Sequence, residues 1–287
     1  MVIKGQTSDW QEMKAGVAQS SVLGPLLLLV YMNDIVDNIS SCISLFADDT
    51  SLYRTMVTDN DYLILNRDLQ TISDWGKRWL VTFNASKTKY MLFSKSGGTA
   101  NIIPLTFNCM VLEKIHSHKH LGIIFSDDLS WKNHIDGIII KCSKRLNILK
   151  RIQRSVPRLC LENIYLYMIR PIIDYGDTVY DNMTVSLSQD LENIQRQAAL
   201  ACTGGYRHTD HSKLLEELGW DPLSTRRKCH RLFMFFKILN NLTPPYMKSI
   251  LPDRVIDVAG YNLRNKNNFI NPKYDKVTTR FSSKVCQ

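Results

Sequence analysis

Ser41-Cys42-Ile43-Ser44-Leu45-Phe46-Ala47-Asp48-Asp49-Thr50-Ser51-Leu52-Tyr53 sets two adjacent carboxylates between two apolar, β-prone runs. Runs of this kind about a two-residue, Asp-containing link predict a tight hairpin. Successive strand side chains point to opposite faces, so at most one aspartate aims straight into a site, Asp48 with Asp49 beside it. Hard Mg²⁺ takes oxygen ligands and usually binds through one or two carboxylates plus phosphate oxygens, which makes the pair a candidate metal site. An Asp-Asp pair in a turn is more commonly a solvated turn and nothing else. The stretch upstream weighs against that bland reading.

It runs Gly16-Val17-Ala18-Gln19-Ser20-Ser21-Val22-Leu23-Gly24-Pro25-Leu26-Leu27-Leu28, then Tyr31-Met32-Asn33-Asp34-Ile35, and reaches Phe46-Ala47-Asp48-Asp49. Gly16 and Gln19-Ser20-Ser21 predict a loop, Ser20 or Ser21 can cap the helix that follows, and Pro25 falls in its first turn, where a missing N–H costs least. Taken alone this is an ordinary buried helix. In this order and at this spacing, however, the segments closely resemble reverse transcriptases of non-LTR (LINE-type) retrotransposons, whose palm carries a GVPQGSVLGP-like loop and helix ahead of an FADD hairpin. The resemblance covers most of the chain, strongly to about Ser94 and more loosely through Leu251.

The resemblance implies RNA-directed DNA polymerisation by two-metal nucleotidyl transfer, with Asp48 and Asp49 as catalytic ligands of Mg²⁺ or Mn²⁺. It implies an RNA template, a DNA primer and dNTPs as partners, with Gln19, Ser20 and Gly24 set against template and incoming nucleotide. The pattern departs from the family at Ala18, where Pro is usual, and at Ser20, where Gly is usual. Ser20 is costly if that backbone needs φ > 0 or a close approach to nucleotide.

Composition agrees with a globular nucleic-acid partner. The 287 residues suit one large or two modest domains, and 44% hydrophobic with 22% charged residues is a globular balance. A net charge of +9 and a pI near 9.1 favour an anionic partner, nucleic acid before membrane. The seven cysteines are scattered, odd in number and without any CxxC, which reads as reduced, mostly buried thiols of an intracellular protein rather than a disulfide framework. No signal peptide is expected, and the apolar run from Val22 to Met32 is too short to span a bilayer.

Beyond the hairpin, Asp59 or Asn60 is expected to cap a helix reaching about Leu80, with Leu65, Leu69, Ile72, Trp75 and Trp79 as its core stripe. Asn84 to Thr88 resembles the family's NxxKT segment, and the resemblance puts Lys87 near the triphosphate as a proton donor to the leaving pyrophosphate. A lysine in a turn before a strand is otherwise simply solvated. Ser94 to Ala100 predicts a loop, and strands are expected near Leu105–Val111 and His120–Phe125. Leu121 and Gly122 stand where the family has its primer grip, a hairpin holding the primer 3′ end. His116, His118 and His120 can share a strand face, but no cysteine lies at zinc-ligand spacing. Asp127-Asp128 reads as an N-cap for the next helix rather than a second catalytic pair.

From there the pattern is helical. A helix over about Trp131–Val156 buries Ile135, Ile138, Ile139, Cys142, Leu146 and Leu149, and Lys141 to Arg158 holds seven basic residues and no acidic one. The family's thumb begins here and packs on template–primer, so the resemblance implies nucleic-acid contacts by Lys141, Lys144, Arg145, Lys150, Arg151 and Arg154; a solvated helix face is the alternative. Further helices are expected at 160–170, 188–202 (ended by Gly204-Gly205), 211–218 and 223–241. Arg226, Arg227, Lys228, His230 and Arg231 form a second basic cluster. Cys202, His208, His211 and Cys229 have no regular metal-ligand spacing.

The resulting expectation is an α+β fold: a partial palm over 1–126, a mixed sheet with packed helices; an all-helical thumb-like region over 127–251; and a basic tail over 252–287. A two-metal site needs carboxylates from more than one strand. The strand that supplies the third in the family lies upstream of the loop, and only Asp9 and Glu12 precede Gly16, neither in a matching pattern. The chain therefore reads as a truncated reverse transcriptase whose missing palm-and-fingers half is a required partner. The alternative is a catalytically inactive relic that binds nucleic acid through its basic helices.

Overall fold

The computed structural model describes residues 2–3, 6–7, 21–93, 103–255, 258 and 268–270. The expectations placed on Gln19, Ser20, the Ser94–Ala100 loop and nearly all of the tail lie outside the described residues. The chain divides into two compact units, Met1–Lys89 with Thr99–Glu113, and Tyr90–Gly98 with Lys114–Val285.

The first unit is built on α2, Asp59–Arg78. The cap is Thr58, not Asp59 or Asn60: Asp61 reaches back to accept the N–H groups of Thr58 at 2.9 Å and Val57 at 3.0 Å. Its apolar stripe buries Tyr62, Leu65, Leu69, Ile72 and Trp75, together with Met32, Ile35, Leu105, Phe107 and Leu112. Trp79, expected in that stripe, is 40% exposed because the helix ends at Arg78 and the chain turns there. Phe83 bridges the ends of this core, lying 6.3 Å from Trp75 and 5.9 Å from Phe107 between ring centroids. Helix α1, Leu23–Tyr31, opens with the Gly24 N–H donated to Ser21 Oγ at 3.0 Å. The strand Cys42–Phe46 pairs antiparallel with Asp49–Tyr53. The run expected as a strand at Leu105–Val111 is a small hairpin, Thr106–Phe107 against Met110–Val111. Asn108 and Cys109 turn it with φ of +49° and +61°.

The second unit is mainly helical among the described residues, and its longest strand pair is the hairpin of Ser117–His120 against Ile123–Ser126. Its core lies where α3 (Lys132–Ile152) packs on α7 (Val185–Thr203), with Ile135, Ile138, Cys142, Leu146 and Leu149 facing Leu191, Ile194 and Ala198 within one buried cluster. Ile139 of the expected stripe packs at its margin. The expected helix near 160–170 is α4 (Arg158–Ile164), a π turn (Tyr165–Ile169) and α5 (Arg170–Asp174) run together. Pro171 explains the widened turn, since it lacks an N–H and its ring would strike the Tyr167 carbonyl in a regular α-helix. After α6 (Asp177–Tyr180) and α7, Gly204 ends the latter in the left-handed conformation at φ +70°. Helices α8 (His211–Leu218) and α9 (Leu223–Leu239) follow as expected. Asp127 and Asp128 do not cap α3. Asp128 closes a local turn by accepting the Ser130 N–H at 2.9 Å, and Asp127 pairs with His116 at 2.6 Å.

Across both units the fold class is α+β, as expected. The described strands form separate two-stranded ladders rather than one mixed sheet. Ladders this short are carried by the helices they lie against, because an isolated hairpin is marginal in water.

Candidate active site and nucleic-acid interface

The Asp hairpin is anchored at both ends to α2. At its entry the fully buried Asp68 accepts the backbone N–H groups of Ser40 at 3.1 Å and Ser41 at 2.8 Å. At its exit Arg54 Nε meets Asp61 Oδ1 at 2.9 Å. The N–H groups of Thr58 and Val57, and then Arg54, hold the Asp61 carboxyl far below the usual carboxylate range. Phe46 stands opposite Asp49 in the register, so the two linking residues are Ala47 and Asp48, and Asp49 already opens the return strand. Ala47 takes φ +52°, a left-handed conformation that costs a residue with a Cβ roughly 1 kcal/mol. The positive φ at the first linking position matches the twist of the flanking strands. Both aspartates are exposed.

Two exposed carboxylates suit a hard divalent cation in kind, but on one hairpin they do not suffice to clamp two ions. Among the described residues no third His, Cys, Asp or Glu brings a ligand atom into reach of this pair. A two-metal clamp is therefore not closed by these side chains alone.

Lys87 lies in the same unit, exposed in a turn made by Asn84. The Asn84 carbonyl accepts the Lys87 N–H at 3.1 Å, and its side chain accepts Ser86 Oγ at 2.6 Å. The Lys87 ammonium is in no ion pair among the described residues. Gly24 is the one buried residue of α1.

In the second unit, Leu121 and Gly122 are a hairpin tip, not the middle of a His120–Phe125 strand. Their φ of +46° and +87° form the two-residue link between His120 and Ile123. The turn between α5 and α6 holds this tip. Tyr175 Oη donates to the Leu121 carbonyl at 2.7 Å, and a Cβ on Gly122 would lie 2.9 Å from the Tyr175 ring. Gly176 makes room in return, since a Cβ there would lie 2.7 Å from Ile123 Cδ1. Deeper in the hairpin the Ile124 N–H donates to His134 Nδ1 at 3.2 Å. Burial, and then Lys141, push the His134 pKa down. Sequence reasoning passed over both Tyr175 and His134; the Asp-Tyr-Gly triplet signals only a turn, and nothing local to it points to residue 121.

The basic residues of α3 do not share one face. At about 100° per residue Lys144 and Arg151 lie opposite the buried stripe, whereas Lys150 flanks it on one side and Arg145 on the other; Arg154 lies in the turn past the helix end at Ile152. Arg145 donates to the Met168 carbonyl, and Lys150 Nζ to Gln197 Oε1 at 2.7 Å. Lys141, Lys144, Arg151 and Arg154 are exposed and form no ion pair among the described residues. Arg158 is neutralised by Glu162 at 2.7 Å and Glu217 at 2.6 Å.

The second basic cluster is mostly an internal ion-pair seam. Arg226 meets Asp174 at 2.6 Å, Arg227 meets Asp181 at 3.2 Å, Arg231 pairs with Asp181, and His230 meets Asp177 at 2.5 Å. Asp177 is 3% exposed, and burial pushes its carboxyl up against the opposing pull of His230. Asp174, Asp177 and His230 place ligand atoms within 4.8 Å of one another, but Arg226 and Arg170 already balance Asp174. Cys202, His208, His211 and Cys229 form no such group among the described residues.

Comparison with known proteins bears on both units. Residues 1–125 match the family of reverse transcriptases (RNA-dependent DNA polymerases). The chain is 26% identical over 203 residues to the probable RNA-directed DNA polymerase from transposon BS of Drosophila melanogaster, covering 67% of this chain and 22% of that protein. It is 28% identical over 195 residues to the RNA-directed DNA polymerase from mobile element jockey of the same species, covering 62% and 20%. A retrovirus-related Pol polyprotein from type-1 retrotransposable element R1 2 of Nasonia vitripennis is 21% identical over 94% of this chain and 71% of its own length. The chain thus spans about a fifth of the length of the first two relatives. No solved structure matches it.

Proposed function

We propose that this chain is the rear of a reverse-transcriptase palm followed by a thumb, part of an RNA-directed DNA polymerase of a non-LTR retrotransposon. The observation that carries the proposal is the Phe46-Ala47-Asp48-Asp49 hairpin, anchored at both ends, within a segment whose residues match the reverse-transcriptase family. In this reading Asp48 and Asp49 supply one side of a divalent-metal site, Lys87 attends the triphosphate, and Gln19, Ser20 and Gly24 line the template and nucleotide. The bound Mg²⁺ or Mn²⁺ would polarise the nucleotide phosphates; the remaining carboxylate and the fingers come from polypeptide upstream. Helix α1 supports a missing cover: its one buried residue is Gly24, while Leu23, Leu26, Leu29 and Val30 are 55–68% exposed. Solvent exposure of so many adjacent apolar residues marks an interface.

The second unit serves in this reading as primer grip and thumb. Leu121 and Gly122 hold the primer end, and Lys141, Lys144, Arg145, Lys150, Arg151 and Arg154 contact phosphates. A second reading, a relic that binds nucleic acid without polymerising, is favoured by the two-carboxylate count and by Ala18 and Ser20. Both readings require a phosphate-binding thumb. Reversing Lys141, Lys144 and Arg151 to glutamate is expected to weaken template–primer binding about equally for all sequences, because phosphate contacts carry no base information. The slope of log affinity against log salt should fall by roughly 0.9 per lost contact. Unchanged affinity and slope would mean that α3 presents only a solvated face.

A further inference from the structure

A groove of about 450 Å³ lies between the C-terminal parts of α3 and α7, lined by Lys150, Asn193, Arg196, Gln197, Leu200 and Arg207. Three of the six are cationic and none is acidic. None of the three cations is in an ion pair among the described residues. Arg196 is built into the wall: its Nη2 donates to the carbonyls of Arg207 at 2.8 Å and Thr209 at 3.2 Å. Its Nε is buried with no hydrogen-bond partner. A partly desolvated guanidinium with no carboxylate to balance it favours an anion in the groove. Arg196 also fixes the loop after Gly204, which presents Tyr206 at 87% exposure directly before Arg207. A large aromatic side chain that packs on almost nothing, set against a cationic groove, is the pairing that receives a base and its neighbouring phosphate in single-stranded nucleic acid.

We infer that this groove and the Tyr206–Arg207 loop form a separate binding site for the phosphodiester backbone of single-stranded RNA or DNA, with one base stacked on Tyr206. The site goes beyond the polymerase reading and does not depend on it. Its anion-binding residues come from α7 and the following loop, with Lys150 as the one residue shared with the proposed thumb surface. Arg207 supplies an exposed cation to the groove lining, and Gln197 holds Lys150 in place through the 2.7 Å hydrogen bond.

The test is fluorescence anisotropy of the full chain with labelled oligouridylate and oligothymidylate of about 12 nucleotides, within the span such sites cover. Arg207→Glu is expected to weaken both about tenfold and to lower the salt slope by about 0.7, the single-strand value for one lost phosphate contact. Tyr206→Ala is expected to weaken both about fivefold or more while leaving the salt slope unchanged, which separates stacking from charge. Both side chains are exposed, so the melting temperature of either variant should match that of the parent. Unchanged strand affinity in both variants would overturn the site. Displacement of the strand by inorganic phosphate at equal phosphate concentration would also overturn it, in favour of a free-anion site.

Discussion

At the scale of single residues, the glycine at the hairpin tip carries the sharpest stability expectation. Gly122 has both a left-handed φ of +87° and a Tyr175 ring 2.9 Å from where a Cβ would sit, whereas Gly204, at φ +70°, has nothing within 4 Å. Gly204→Ala should cost only the backbone term, about 1 kcal/mol. Gly122→Ala should cost about 2–3 kcal/mol, because the overpacking adds to that term. Urea denaturation of the two variants checks this, and equal losses would mean that the Tyr175 clamp is loose. The place of Asp48 and Asp49 in a tight hairpin was legible because two β-prone runs about a short Asp-containing link need no long-range information. Tyr175 was not legible: its partner is Leu121, fifty-four residues away, and only packing brings the two together. The same holds for Asp68, a helix residue whose burial makes sense only once Ser40 and Ser41 are placed over it.

At the scale of elements, helices were read well and strands poorly. The stripes of α2 and α3 and the spans of α8 and α9 follow from a 3.6-residue period that local sequence carries. The runs at Leu105–Val111 and His120–Phe125 each conceal a two-residue turn, at Asn108-Cys109 and Leu121-Gly122, that apolar composition alone does not betray. The α9 basic cluster misleads for a related reason, since the acids that neutralise it belong to α5, α6 and the residue after α6. One element-level coupling is open to titration. His134 on α3 accepts the Ile124 N–H and stays neutral in the fold, with its pKa below the ordinary value of 6.5. A depressed folded pKa means that this stability is fully present above about pH 6.5 and is lost as the pH falls through the folded value, because the unfolded chain takes up the proton first. Denaturation midpoints should therefore decline between pH 7 and pH 5 in the parent, and less steeply in His134→Gln. Parallel declines in the two proteins would count against a neutral His134.

At the scale of the whole molecule, the sequence resemblance, the family match over residues 1–125 and the anchored Asp hairpin point the same way. What the described residues lack is an opposing carboxylate. Mg²⁺ demands near-octahedral geometry and dehydrates reluctantly, so two carboxylates on one hairpin should bind it weakly and misplace a triphosphate. A misplacement of about 1 Å can cost roughly 10²-fold in rate, and in the proposed reading the opposing wall of the site comes from other polypeptide. The central claim of the proposed reading is that this chain holds one side of a polymerase site and does not complete it. The direct measurement is template-directed dNTP incorporation by the purified chain on a primed homopolymer RNA, with Mg²⁺ and with Mn²⁺, beside its Asp48→Ala variant. The expected result is no incorporation above background by either protein, while the primed template remains bound and salt-sensitive. Incorporation by the parent chain that disappears in Asp48→Ala would contradict the account, because it would mean that the site is complete without any further polypeptide.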